Sequence, residues 1–200
     1  MSVQRYPVSL EQPAPRARFE AAGQPDALLA ALHAAGLRLP LRANSSAHTG
    51  PDLRVDWLGP RRFVLSTSWA DEERLNTSLQ GVFAGFELAD VCCTTDMVVT
   101  FELAGPGAAD VLAQGTALDL SDAAFAAGSV TVTDLWGVAA VIERPTGWPG
   151  CRRVTVDRSL AGFVEGWLQT ANGLPSALKP GVMRTAHLSS RALRGIQQKR

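Results

Sequence analysis

Two tight turns, each set between runs of apolar residues, constrain the fold of this chain more than any other feature. Residues 53–58 alternate apolar and polar side chains, which is the period of a half-buried strand. A Gly-Pro turn separates this run from a second apolar run at residues 63–65. Residues 130–135 and 138–143 form another such pair around a Trp-Gly turn. The pattern predicts two β-hairpins.

Helices are predicted between the strands. The clearest is an amphipathic helix at residues 158–170, whose apolar residues include Leu160, Val164 and Leu168. Because strands dominate and helices are interspersed, we assign the chain to the α+β class with mostly antiparallel sheets. The other helices are expected at residues 27–33, 68–82 and 108–113, further strands at residues 86–91, 97–103 and 154–156, and a polar loop at residues 43–51.

The length of 200 residues fits one ordinary domain with short extensions. Residues 1–25 contain four prolines, which fix φ and remove backbone donors, and are interpreted as an extended N-terminal arm. Residues 26–172 are predicted to form a single α+β domain. Residues 173–200 contain no acidic residue and are interpreted as a basic C-terminal tail.

The basic tail allows two interpretations. It is either a solvated terminus or an arm that becomes ordered on an acidic partner surface. On the second interpretation, its basic side chains are candidates for a subunit interface, namely Lys179, Arg184, Arg191 and Arg194.

The charge balance excludes some classes of partner. Nineteen basic residues balance nineteen acidic ones, whereas nucleic-acid binders normally carry a clear positive excess. No apolar run approaches the ~20 residues that span a bilayer. The first fifteen residues have no apolar segment typical of a secretory signal. We therefore expect a cytoplasmic protein that has neither a nucleic acid nor a membrane as its partner.

The cysteines and histidines do not predict a metal site. Cys92, Cys93 and Cys151 show no ligand spacing, and the three histidines lie far apart in the sequence. The cysteines are interpreted as small buried apolar residues in a reducing compartment. A reactive thiol is disfavoured because Asp90 and Asp96 would raise the pKa of a neighbouring cysteine.

No catalytic or cofactor-binding residue can be assigned from sequence motifs. The chain lacks a Gly-x-Ser-x-Gly nucleophile motif and a phosphate-binding P-loop. The pair Gly105 and Gly107 suggests half of a dinucleotide fingerprint, but the third glycine position is occupied by Asp110. Five tryptophans are spread over separate elements and are expected to fill the core or an interface.

Several segments, taken in order, resemble one family. Residues 58–65 read Leu-Gly-Pro-Arg-Arg-Phe-Val-Leu and resemble its Leu-Gly-Pro-Asp-Glu-Trp-Leu-Leu segment. Residues 103–115 resemble its Leu-x-Gly-Pro-x-Ala-x-x-Val-Leu-Ala-x-Gly segment, and Leu-Asp-Leu at 118–120 follows as expected. Residues 158–168 resemble its Arg-Ser-Phe-Ala and Trp-Leu helix. The family is the gamma subunit of heterotetrameric sarcosine oxidase, and the resemblance covers residues 55–168.

This resemblance implies a fold like the folate-binding aminomethyltransferase of the glycine-cleavage system. It also implies a non-catalytic structural subunit that assembles with alpha, beta and delta subunits. The complex would oxidatively demethylate an N-methyl amino acid and pass the one-carbon unit to tetrahydrofolate. FAD, FMN, NAD and tetrahydrofolate would belong to the partner subunits, and this chain would bind no cofactor.

Alternatives remain open. An autonomous folate-binding or one-carbon transfer protein would need a carboxylate near the folate nitrogens, and Asp56, Asp90 and Asp119 are the candidates. A plain assembly factor without an attached enzyme is a third possibility. The Arg-Arg turn at residues 61–62 and the stretch at residues 90–96 depart from the family pattern, which leaves the N-methyl or N,N-dimethyl substrate open.

Overall fold

The computed structural model describes residues 6–173, which form two antiparallel five-stranded sheets with helices beside them. The strands are β1 (Ser9–Glu11), β2 (Ala17–Gly23), β3 (Ser46–Thr49), β4 (Leu53–Gly59), β5 (Arg62–Thr67), β6 (Ala89–Cys93), β7 (Val98–Ala104), β8 (Val130–Leu135), β9 (Val138–Glu143) and β10 (Cys151–Asp157). The α-helices are α1 (Pro25–Ala34), α2 (Glu72–Phe83), α3 (Ala108–Ala113) and α4 (Ala161–Ala171), and short 3-10 helices occur at Trp69–Asp71, Thr95–Met97 and Arg158–Leu160.

The strands divide between two sheets. Sheet I has the order β1-β7-β10-β9-β8, and sheet II has the order β3-β4-β5-β2-β6. Every strand pair in both sheets is antiparallel. The predicted α+β class with mostly antiparallel sheets is therefore confirmed.

Both predicted hairpins are present. In the first, β4 pairs with β5 and the register shifts between Trp57 and Gly59, which marks a bulge. In the second, Leu135 pairs with Val138 across a two-residue turn. The turn residues Trp136 and Gly137 have φ angles of 52° and 84°. Positive φ at both central positions is what a type I′ hairpin turn requires.

Three segments differ from the sequence-based prediction. Residues 17–23, placed in the extended arm, form β2 between β5 and β6. The prolines of the arm precede this strand, and its inward side chains are Ala17, Phe19 and Ala21, so two alanines weaken the apolar signal. Strand β3 lies inside the predicted loop 43–51. The strand predicted at residues 86–91 begins later, at Ala89, as β6.

Each sheet packs against its own helices. The core of sheet II joins Phe19 and Leu65 to Leu28 of α1 and Leu79 of α2. The core of sheet I joins strands β7 and β10 to helices α3 and α4, with Leu112 and Leu168 completely buried. Burying one Leu or Phe side chain contributes about 1.5–3 kcal/mol, so each half has its own source of stability. The predicted division of the chain into an arm (residues 1–25), a domain (26–172) and a tail (173–200) stays a prediction.

Backbone hydrogen bonds join the two sheets beside the start of β8. The Ser46 N–H donates to the carbonyl of Gly128 at 3.0 Å, and the Val130 N–H donates to the carbonyl of Asn44 at 3.1 Å. Ser45 and Ser129 form an isolated antiparallel bridge at the same place. Strand β4 of sheet II consequently lies next to sheet I. Among the helices within residues 6–173, none has the length and apolar character that crossing a membrane requires.

Candidate functional site

An ionic cluster spans the junction between the sheets and consists of Arg54, Asp56, Glu102, Glu143 and Arg153. The Arg54 guanidinium, from β4, donates to the Asp56 carboxylate at 2.7 Å and to the Glu143 carboxylate of β9. Arg153 lies 3.5 Å from Glu143 and donates from its Nε to Glu102 at 2.9 Å. Two basic side chains thus alternate with three acidic ones across the junction.

Burial makes this cluster energetically important. Asp56 is 2% exposed and Glu143 is 7% exposed. Burial alone would lower the pKa of Arg54, but the neighbouring carboxylates of Asp56 and Glu143 outweigh burial and raise it above its usual value. Removing one partner from a buried pair typically costs about 3–5 kcal/mol, because the other charge stays buried without compensation. The cluster therefore fixes how the two sheets meet.

A small polar cleft opens beside the ionic cluster. Its volume is about 160 Å³, and its lining includes His48, Arg54, Glu143 and Trp148. The Arg153 guanidinium lies over the Trp148 ring, with its Cζ atom 5.4 Å from the ring centre. Sites for drug-sized ligands occupy roughly 300–1,000 Å³, so the cleft is too small for a folate or a flavin. The cleft is part of the polar junction between the two sheets.

The structure does not bring the candidate folate-binding carboxylates together. Asp56 lies buried in the ionic cluster. Asp90 is exposed on β6 and accepts a hydrogen bond from the Val91 N–H at 2.8 Å. Asp119 lies in the loop before β8, where hydrogen bonds from Ser121 lower its pKa. Within residues 6–173, no hydrogen bond or ion pair joins any two of the three.

The prediction of buried cysteines is right for Cys151 and wrong for Cys92 and Cys93, which are exposed. Both exposed cysteines lie on β6, an edge strand of sheet II. The pKa of Cys92 is raised by partial burial and then by the negative charges of Glu20 and Asp90. This is the direction that its acidic neighbours predict. The described residues contain no group of His, Cys, Asp or Glu side chains arranged to hold a metal ion.

An aromatic patch on sheet I consists of Trp136, Phe163 and Trp167. The rings of Trp136 and Trp167 stack at 6.0 Å, and Phe163 meets Trp167 edge-on at 6.3 Å. Phe163 and Trp167 of α4 remain 47% and 44% exposed. Aromatic side chains with this much exposure are enriched at protein–protein interfaces. The patch is the best candidate for a docking surface in the described part of the chain.

Gly115 makes room for this patch. A Cβ atom at this position would lie 2.3 Å from the Trp136 ring, closer than real contacts allow. The backbone N–H of Trp136 also donates to the Gly115 carbonyl at 2.8 Å. These contacts hold Trp136 in its left-handed conformation, which normally costs about 1–3 kcal/mol for a residue other than glycine. Local sequence could not reveal the patch, because its aromatic residues come from a turn and a helix that are distant in the chain.

The other candidate interface lies outside the described residues. The basic side chains proposed for it belong to the tail beyond residue 173 and are Lys179, Arg184, Arg191 and Arg194. Sequence reasoning also missed Arg54 and Glu143. In the sequence, each is a charged residue within a predicted strand. The alternating pattern of a single hairpin does not show whether such a side chain points inward or is exposed.

Solved structures share this fold. Heterotetrameric sarcosine oxidase from Corynebacterium sp. U-96 superposes with a TM-score of 0.74 at 24% identity, over 86% of this chain and 86% of that chain. Aminomethyltransferase T of the glycine cleavage system from Bartonella henselae superposes with a TM-score of 0.66 at 18% identity. That match covers 86% of this chain but 48% of the transferase, so the chain spans about half of its length.

Sequence similarity assigns the chain to a family more specifically than the shared fold does. No curated protein sequence matches it significantly. However, the family described as "Sarcosine oxidase, gamma subunit family" matches residues 18–173, which is most of the chain. The match includes β2 except its first residue, and every later helix and strand through α4. The resemblance seen in the sequence is thereby confirmed, and the protein belongs to the sarcosine oxidase gamma subunit family.

Proposed function

We propose that this chain is a non-catalytic structural subunit of a heterotetrameric, flavin-dependent oxidase that resembles sarcosine oxidase. The complex oxidatively demethylates an N-methyl amino acid and passes the one-carbon unit to tetrahydrofolate. Family membership supports the role of a subunit. The observation that carries the structural role is the exposed aromatic patch of Trp136, Phe163 and Trp167.

The chemistry is assigned to the partners. The alpha, beta and delta subunits hold FAD, FMN, NAD and tetrahydrofolate, and the assembled enzyme works in the cytoplasm. Within residues 6–173, the charged groups at the sheet junction form ion pairs with one another, and the cleft beside them has a volume of about 160 Å³. These features support an architectural role for the junction, because a catalytic site needs convergent polar groups around a space that admits substrate.

Contact with the partners is assigned to two surfaces. The aromatic patch supplies apolar contact area, as the buried centre of an interface requires. The basic tail, with Lys179, Arg184, Arg191 and Arg194, supplies charge for an acidic partner surface. A permanent interface commonly buries more than ~2,000 Å², so both surfaces together suit an obligate subunit better than either does alone.

Substituting Trp167 tests the proposed docking surface. Trp167→Ala in the complete complex should weaken assembly by roughly 30-fold, since an aromatic hot spot contributes about 2 kcal/mol or more. Trp69→Ala is the matched control, because Trp69 is 43% exposed and lies beside sheet II, away from the patch. Equal assembly of both variants, measured by co-purification at defined dilution, would remove the patch from the interface.

A further inference from the structure

A second cavity, separate from the ionic cluster and the aromatic patch, lies between the start of α3 and the segment that leads into β10. Its volume is about 430 Å³. Pro106, Ala109 and Pro149 give it apolar walls, and Arg152 and Asp122 supply charged groups. A hydrogen bond from the Gly105 N–H to the Gly150 carbonyl, at 3.2 Å, ties the two sides together. The volume lies within the range of roughly 300–1,000 Å³ that small-ligand sites occupy.

Arg152 is the unusual side chain of this cavity. It is 2% exposed and is among the largest fully buried side chains of the described residues. Its Nη1 donates to the Cys151 carbonyl at 2.9 Å, and its Nη2 donates to the Leu120 carbonyl at 3.0 Å. Its Nε is buried and has no hydrogen-bond partner within residues 6–173. A buried donor left without a partner costs about 1–3 kcal/mol, and more when it is charged.

The negative charge beside Arg152 does not balance the positive charge there. Asp122 accepts a hydrogen bond from Arg152 at 3.0 Å and also pairs with Arg144 at 2.9 Å. One carboxylate therefore serves two guanidinium groups, which leaves one positive charge in excess. Asp122 is itself 74% exposed, so water weakens its hold on both arginines. A ligand carboxylate can therefore replace Asp122 at Arg152 without leaving a buried acid unpaired.

We propose that this cavity is a binding site for a small organic carboxylate with an apolar body. The carboxylate group would pair with Arg152, and the apolar body would lie against Pro106, Ala109 and Pro149. Guanidinium groups suit carboxylates because their donors match both carboxylate oxygens. This site is independent of the proposed role in assembly.

Benzoate is a suitable probe, and benzamide is its uncharged control. Isothermal titration of the full chain, purified with whatever subunits accompany it, should show benzoate binding at least about tenfold more tightly than benzamide, since a hydrogen bond to a charged group contributes roughly 1.5–3 kcal/mol. Ala109→Leu fills the cavity without touching the charges and should abolish this binding. Benzoate bound at another subunit would be unaffected by Ala109→Leu, so the difference locates the site.

Asp122→Asn leaves the buried arginine intact and keeps a hydrogen-bond acceptor beside it, because the amide oxygen can still accept from Arg152. It removes the competing carboxylate and should tighten benzoate binding several-fold. Equal binding of benzoate and benzamide, or benzoate binding that Ala109→Leu leaves unchanged, would overturn the proposal. Absence of benzoate binding together with loss of assembly in Asp122→Asn would also overturn it, in favour of a contact with a partner subunit.

Discussion

Arg54 of β4 donates a hydrogen bond to Glu143 of β9, so one buried ion pair joins the two sheets. Its side chains come from positions 89 residues apart. Arg54 also pairs with Asp56 on its own strand, and Glu143 also faces Arg153 on β10. Together with the backbone hydrogen bonds between residues 44–46 and 128–130, this ion pair holds the two sheets together.

Arg54→Met should destabilise the protein by about 3–5 kcal/mol, because Asp56 and Glu143 would remain buried with too little positive charge. Chemical denaturation monitored by tryptophan fluorescence measures this loss. Arg74→Met is the matched control, since Arg74 pairs with Asp71 on an exposed helix surface. The control should leave the midpoint unchanged. Similar midpoints for both variants would mean that the buried pair does not hold the sheets together.

Gly115→Ala should displace the Trp136 ring, because the new Cβ would lie 2.3 Å from it. The expected loss of stability is about 1–3 kcal/mol, as for other overpacked sites. Near-ultraviolet circular dichroism should change at the same time, since the stacking of Trp136 on Trp167 would be disturbed.

Gly81→Ala serves as the control for this substitution. Gly81 lies inside α2, and a Cβ there meets nothing within 4 Å. Alanine should stabilise the helix by up to ~1 kcal/mol. If both glycine variants were stabilised alike, the close approach of Gly115 and Trp136 would be incorrect.

Cys92 and Cys151 should differ in their reaction with iodoacetamide as the pH rises. The pKa of Cys92 is raised by burial, Glu20 and Asp90, so its thiolate should appear at a higher pH than that of a free thiol. Asp90→Asn removes one negative charge and should shift the Cys92 profile to lower pH. Burial raises the pKa of Cys151 to about 11, so Cys151 should react only after unfolding.

Peptide mapping by mass spectrometry assigns each alkylated cysteine. Glu87→Gln is the control, because Glu87 is not among the charges that raise the pKa of Cys92. A Cys92 profile that shifts equally in both variants would contradict the assigned effect of Asp90. Rapid labelling of Cys151 in the folded protein would contradict its burial.

The sequence predicted the features that depend on neighbouring residues. Both hairpins follow from local alternation and from turns that need a glycine, as at Gly137. The helix that became α4 follows from its apolar spacing. Strand β2 was missed because two of its buried residues, Ala17 and Ala21, carry little hydrophobic signal and prolines lie just before them.

The candidate sites depend on residues that are distant in the sequence, and so they could not be predicted. Arg54 and Glu143 meet only after two sheets have formed. The exposure of Cys92 depends on β6 lying at a sheet edge, which the strand sequence does not reveal. Arg152 occupies a buried position that its charge would normally exclude. Each of these sites depends on tertiary contacts between distant residues, which local sequence patterns do not reveal.

We propose that this chain functions as a subunit of a flavin-dependent demethylating oxidase. The decisive experiment is to purify the tagged chain from its native cells and to record the visible spectrum of the proteins that co-elute. The expected result is a stoichiometric complex with larger subunits, whose flavin absorption bleaches when an N-methyl amino acid is added. A colourless monomer that binds tetrahydrofolate would contradict it and favour an autonomous one-carbon transfer protein.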